Sequence, residues 1–241
     1  MVRPGLRCSE IDWENVNIHI SKEEMEREQE HEAAIQQVKG YLIKNFPKFC
    51  TVNNVYYETE KFNHDAGMYE VLHVDHIVIG DQAIYVIKTV KLPENVELYG
   101  SSDTKTWHYT ENRDKNERHM HRVDNADKRN RRYCEYIQML AGEAVRQDVP
   151  AIAIVNIIGL AEEQIHLKLE SRHEVVTMDN LADRIRYYEN TIDSNHVAYE
   201  HSDDLIRKFK EEEVYDNIIP EIRDVELKYK IYLKLSDKFG E

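Results

Sequence analysis

The chain has 241 residues, 41% hydrophobic and 32% charged, which suits one large domain or one domain with a sizeable appendage. Thirty-two Lys and Arg against 46 Asp and Glu give a formal charge of −14, which argues against non-specific nucleic-acid binding unless a local basic patch overcomes the field. Only 8 Gly and 5 Pro argue against long disordered stretches.

In chain order, Ser21-Lys22-Glu23-Glu24 is a capping-box signature that opens a helix to about Asn45. Ala34, Ile35, Val38, Tyr41 and Leu42 fall on one face at helical spacing, and Pro47 closes the segment. Thr51–Tyr57 reads as a strand. Tyr69–Ile79 and Ala83–Lys91 read as a hairpin turning at Gly80-Asp81-Gln82. Glu97–Tyr99 and Lys105–Tyr109 are short strands, and Asn112–Val123 is a polar, charged loop. A second helix is expected from about Asp124 to Gln147, with Tyr133, Ile137, Leu140 and Ala144 as its apolar stripe. Ala151–Ile158 is a continuous apolar run, expected as a buried strand. Gln164–Leu169 and Val175–Thr177 are further strands, and Asp179 caps a helix to about Tyr188. Thr191–Tyr199 is a linker, and Ser202–Tyr215 and Glu221–Leu235 are two more helices.

This order predicts an α/β domain over 21–190, after an extension over 1–20 and before a C-terminal helical appendage over 191–241. Its centre is a mixed β-sheet flanked by α-helices.

The hairpin carries the chemistry. It holds a lone acid, Asp75, on its first strand and Lys88 and Val90 near the end of its second. Alternation along a strand puts 88 and 90 on one face. His73 and Asp75 share a face from which His76 points away. The twelve histidines are expected mainly as surface or hydrogen-bonded residues, with a transition-metal pair at His73 and Asp75 as the alternative. The fifteen tyrosines are expected as packing residues.

Four segments resemble the nuclease-related domain (NERD) family, a branch of the PD-(D/E)XK nuclease-like fold. They are His31-Glu32 with Ile35, Val74–Gly80, Ala83–Val90, and Asn125–Arg129 with Tyr133. The ending Val175–Leu181 fits as well. The resemblance implies a restriction-endonuclease-like fold and matches Glu32 and Asp75 to family acids. Lys88 stands where the family has Glu, Val90 where it has Lys, Arg129 where it has Gln, and Tyr133 where it has His. The replacements fall at the polar chemical positions and spare the apolar frame.

Mg²⁺ is a hard cation that needs carboxylate oxygens, water and phosphate. An ammonium at position 88 repels it, and an isopropyl group at position 90 cannot stabilise developing negative charge. Lys88 is instead expected to pair with Asp75. The expected function is therefore a catalytically inactive, nuclease-derived module that binds nucleic acid or protein, with no cofactor and no metal. One alternative is an active nuclease holding Mg²⁺ or Mn²⁺ at Asp75, with relocated residues such as Lys91, Glu94 or Glu97. Another is a structural or regulatory subunit.

Residues 113–132 hold eight basic residues against four acids. As a functional reading, this stretch could contact the phosphates of DNA or RNA, through Arg118, Arg122, Lys128, Arg129 and Arg132. The reading that carries slightly more weight is a solvated loop and helix face with intrahelical pairs. A protein partner would use the C-terminal helices. Cys8, Cys50 and Cys134 are far apart and form no metal or disulfide framework. No run approaches the ~20 apolar residues that cross a bilayer, and the N-terminus has no apolar segment of signal-peptide length. A cytoplasmic protein without membrane contact is expected. No P-loop, G-x-G-x-x-G or G-x-S-x-G occurs, so nucleotide hydrolysis, dinucleotide redox chemistry and serine hydrolysis find no support.

Overall fold

Helix α1 (Lys22–Asn45) opens the computed structural model, which describes residues 22–63, 68–114, 117–170, 174–192 and 198–213. The expected cap Ser21 and the expected helix over 221–235 lie outside the described residues. Ala34, Ile35, Val38 and Leu42 bury one stripe of α1, as their helical spacing requires. The helix ends where Phe46 N–H donates to Leu42 O, just before Pro47.

Five strands form the central sheet in the order β1-β2-β3-β7-β9. β1 (Cys50–Asn63), β2 (Met68–Ile79) and β3 (Ile84–Lys91) are antiparallel neighbours. β7 (Ala151–Ile158) runs parallel to β3, and β9 (Glu174–Thr177) parallel to β7. The sheet is mixed, as expected, and the 69–79 and 83–91 segments pair antiparallel from Ile79↔Ile84 to His76↔Ile87.

Helices cover both faces. Ile77, Ile79, Ile84 and Val86 pack with Tyr133, Ile137 and Leu140 of α2 (Ala126–Val145). Val78, Tyr85 and Ile87 pack with α1 and with Leu181 and Ile185 of α3 (Met178–Thr191). Because successive strand residues point to opposite faces, two continuous apolar strands supply both layers at once. Leu205 and Phe209 of α4 (Ser202–Glu211) are fully buried in the first of these layers, beside Tyr57 and Ile137. Helix α4 thus belongs to this core layer.

A second sheet was not foreseen. It has the order β6-β5-β4-β8, from β4 (Glu97–Ser101), β5 (Thr106–Asp114), β6 (Glu117–Asp124) and β8 (Ile165–Lys168). Leu98 and the fully buried Trp107 tie it to Leu92 and Ile157. The expected loop over 112–123 is corrected: its described residues, 112–114 and 117–123, lie in the paired strands β5 and β6. β6 is an edge strand, and edge strands carry charge instead of apolar alternation, so the polar composition concealed it.

Asn125 locks the start of α2. Its side chain accepts the Lys128 backbone N–H at 3.0 Å as the helix N-cap. Its amide Nδ2 donates to the carbonyls of Ser101, Ser102 and Thr104. No helix among the described residues is long and apolar enough to cross a membrane.

Candidate functional site

Asp75 on β2 is fully buried and both its oxygens are engaged. Lys88 Nζ on β3 donates to Oδ1 at 2.6 Å, and the Thr89 backbone N–H donates to Oδ2 at 2.7 Å. The β2–β3 register carries these residues together, since it runs to His76↔Ile87 just before them. His31 Nε2 on α1 stands 3.5 Å from the same Oδ1. Burial alone pushes the Asp75 carboxyl up, but the Lys88 ammonium and His31 beside it outweigh burial and hold it well below the usual carboxylate range.

The α1 contribution differs from the expected one. Glu32 is exposed, and His31 is the α1 side chain that meets Asp75. The physical reason is helical phase. Position 31 shares the inward stripe with 34, 35, 38 and 42, whereas 32 is rotated about 100° away. The same periodicity that marked Ile35 and Val38 as core was a usable signal for His31.

His73 lies on the Asp75 side of β2, as alternation required. Its ring stacks on Tyr56 with centroids 4.4 Å apart, and Nε2 sits 2.7 Å from Asn54 Oδ1. Burial first, then the Lys88 charge, hold the His73 imidazole well below its ordinary proton affinity, against the opposing pull of Asp75. Asn54 adopts φ +57°, a left-handed conformation that asparagine tolerates better than most residues. A break in alternation accompanies it. Val52 and Val55, three apart, enter one core layer, and so do Val74 and Ile77 on the partner strand. The β1–β2 register runs unshifted through this position. Sequence reasoning missed Asn54, because a single asparagine inside a strand carries no periodic signal.

His76 faces elsewhere. Its Nδ1 lies 2.8 Å from Asn53 Oδ1 and its Nε2 3.2 Å from Thr89 Oγ1, so it bridges β1 and β3. Burial lowers its pKa to about 4 despite Asp75, and the bridge is made by the neutral ring.

A cleft of about 210 Å³ opens beside the cluster. His31, Lys88, Val90 and Lys91 line it from one side, Asp124 and Arg129 from the other. Lys88 and Val90 thus meet the same space, as expected. Arg129 Nη2 bonds Asp124 Oδ2 at 2.5 Å. Tyr133 is buried in the core layer under α2, with its phenol pushed up to about 12 by burial. Of the basic residues expected to meet nucleic acid, Arg122 and Lys128 are exposed and Arg132 pairs with Glu70. Arg118 lies on β6 opposite Asn112.

The arrangement offers an oxygen-loving metal very little. Only one carboxylate is present, and each of its oxygens already accepts one hydrogen bond, from the Lys88 ammonium and from the Thr89 amide. Mg²⁺ requires near-octahedral oxygen ligation, so these residues do not fit it.

No curated protein and no solved structure matches the chain. The family described as nuclease-related domain does match, over residues 26–158. That span is more than half of the chain and holds the Asp75 strand, the Lys88 strand and all of α2, so the chain belongs to the nuclease-related domain (NERD) family, within the PD-(D/E)XK nuclease-like superfamily.

Proposed function

We propose that this protein is a nuclease-derived module that does not cleave phosphodiesters and that acts by binding nucleic acid. The observation that carries the proposal is the Lys88 Nζ contact with Asp75 Oδ1 at 2.6 Å, where an active relative would place a cation-binding acid. An ammonium in place of the second carboxylate leaves Mg²⁺ short of oxygen ligands and repels it, and Val90 supplies neither a water-orienting group nor charge for a developing oxyanion. Relocation of the chemistry finds little support. Glu97 lies on the second sheet, where it accepts from the Tyr99 hydroxyl and faces His166.

Binding is supported by the cleft itself. Lys88, Lys91 and Arg129 line it against the single acid Asp124, and Arg122 and Lys128, neighbours in sequence of lining residues, are exposed. Phosphate contacts of this kind position a strand without chemistry.

The test is cleavage of plasmid and single-stranded DNA with Mg²⁺ or Mn²⁺, alongside retention of the same DNA at rising salt. The expected result is no cleavage by the parent protein. Retention should weaken with salt and weaken further in Lys91→Ala with Arg129→Ala. Robust cleavage that disappears in Asp75→Ala would overturn the inactive reading. Absence of retention at low salt would remove nucleic acid as the partner and favour a structural or regulatory subunit.

A further inference from the structure

His31, His73 and Asp75 come from two elements, yet each offers a ligand atom within 4.8 Å of the others. Two imidazoles and a carboxylate make a donor set quite unlike the all-oxygen shell of Mg²⁺. Nitrogen donors favour Zn²⁺, Co²⁺ or Ni²⁺, and three protein ligands leave a fourth position for water.

The surroundings are those of a built site. Thr89 N–H fixes Asp75 Oδ2 and leaves Oδ1 as the oxygen turned to His31. Asn54 Oδ1 accepts from His73 Nε2, and Tyr56 backs the ring. An outer hydrogen bond of this type fixes the tautomer and direction of a ligating imidazole. With Nε2 carrying the proton, Nδ1 keeps the lone pair. The left-handed Asn54 carries the side chain that holds His73. A tetrahedral Zn²⁺ site has ligand atoms about 3.3 Å apart, given Zn–N and Zn–O near ~2.0–2.1 Å. His31 Nε2 and Asp75 Oδ1 are already 3.5 Å apart, so side-chain adjustment closes the remainder.

Lys88 is the obstacle, and it is a movable one. Its side chain lines the adjoining cleft, which gives the ammonium somewhere to go and a metal a way in. We infer that His31, His73 and Asp75 form a site for a borderline divalent transition metal, Zn²⁺ in the first instance, with Lys88 as the competing resident cation. The inference goes beyond the binding reading above and does not depend on it.

The test uses the full chain without added histidine tags, stripped with chelator and titrated with Co²⁺ as an optical probe. Wild type should develop the visible d–d bands of a four-coordinate centre at one equivalent, and Zn²⁺ should bleach them. Lys88→Met should bind roughly tenfold more tightly, because the charge pair no longer has to be broken. His31→Ala and His73→Ala should each lose the bands. Circular dichroism of the metal-free variants checks that they remain folded. The inference is overturned if neither wild type nor Lys88→Met shows bands, or if the His31→Ala, His73→Ala double variant binds as tightly as its parent. Cleavage is scored in separate assays with Mg²⁺, so failure here leaves the inactive reading untouched.

Discussion

Lys88→Met is the perturbation that tests most of this reasoning. Asp75 is fully buried, and Lys88 keeps only 13% of its side chain exposed. Removing one partner of a buried ion pair costs on the order of 3–5 kcal/mol when the other charge is left alone. Here Asp75 retains the Thr89 N–H and His31, so the loss should fall to about 1–3 kcal/mol. Urea denaturation in chelator at neutral pH measures it, for Lys88→Met, Asp75→Asn and the double variant. The coupling between the two sites should account for most of the loss. The acid side carries a second signature. Burial raises the Asp75 carboxyl, but Lys88 and His31 override it and hold the folded-state value low. The stabilisation is therefore fully present above the ordinary carboxylate range near ~4 and fades as pH falls through the folded value. Lys88→Met should flatten that part of the stability profile. A coupling energy indistinguishable from zero would mean that the two side chains do not compensate one another, and the account of Lys88 as metal substitute would be withdrawn.

Two further substitutions probe the frame around the site. Asn125→Ala removes the α2 N-cap and the donor to three carbonyls at the end of β4 and in the β4–β5 connection, and should cost ~2 kcal/mol in urea denaturation; a loss below ~0.5 kcal/mol would show that these bonds do little to hold the start of α2 against the second sheet. Gly100→Ala would drive a Cβ into the ring of the fully buried Trp107, so it should destabilise by ~1–3 kcal/mol and red-shift or broaden tryptophan fluorescence, whereas an unchanged midpoint would mean that the second sheet yields easily.

The strands that build the central sheet were legible because their burial is two-sided. Ile77–Ile79, Ile84–Ile87 and Ala151–Ile158 read as apolar runs, since each successive residue enters one helix-covered layer or the other. Helices α1, α2 and α3 were legible for the related reason that one stripe of each is buried. The Asp75–Lys88 contact followed from hairpin register, which fixes which residues can meet. What escaped the sequence was set by long-range geometry. The β5–β6 hairpin is polar because it lies at a sheet edge, and nothing local separates such a strand from a charged loop. The buried Leu205 and Phe209 show only in the folded molecule that α4 closes the main core, because an amphipathic helix does not name the surface it covers. The site itself was decided last. His31, His73 and Asp75 lie 42 and 2 residues apart in sequence. The phase of α1 that turns His31 inward could be read from periodicity, but that this face of α1 packs where β2 carries His73 and Asp75 was decided only by the tertiary fold.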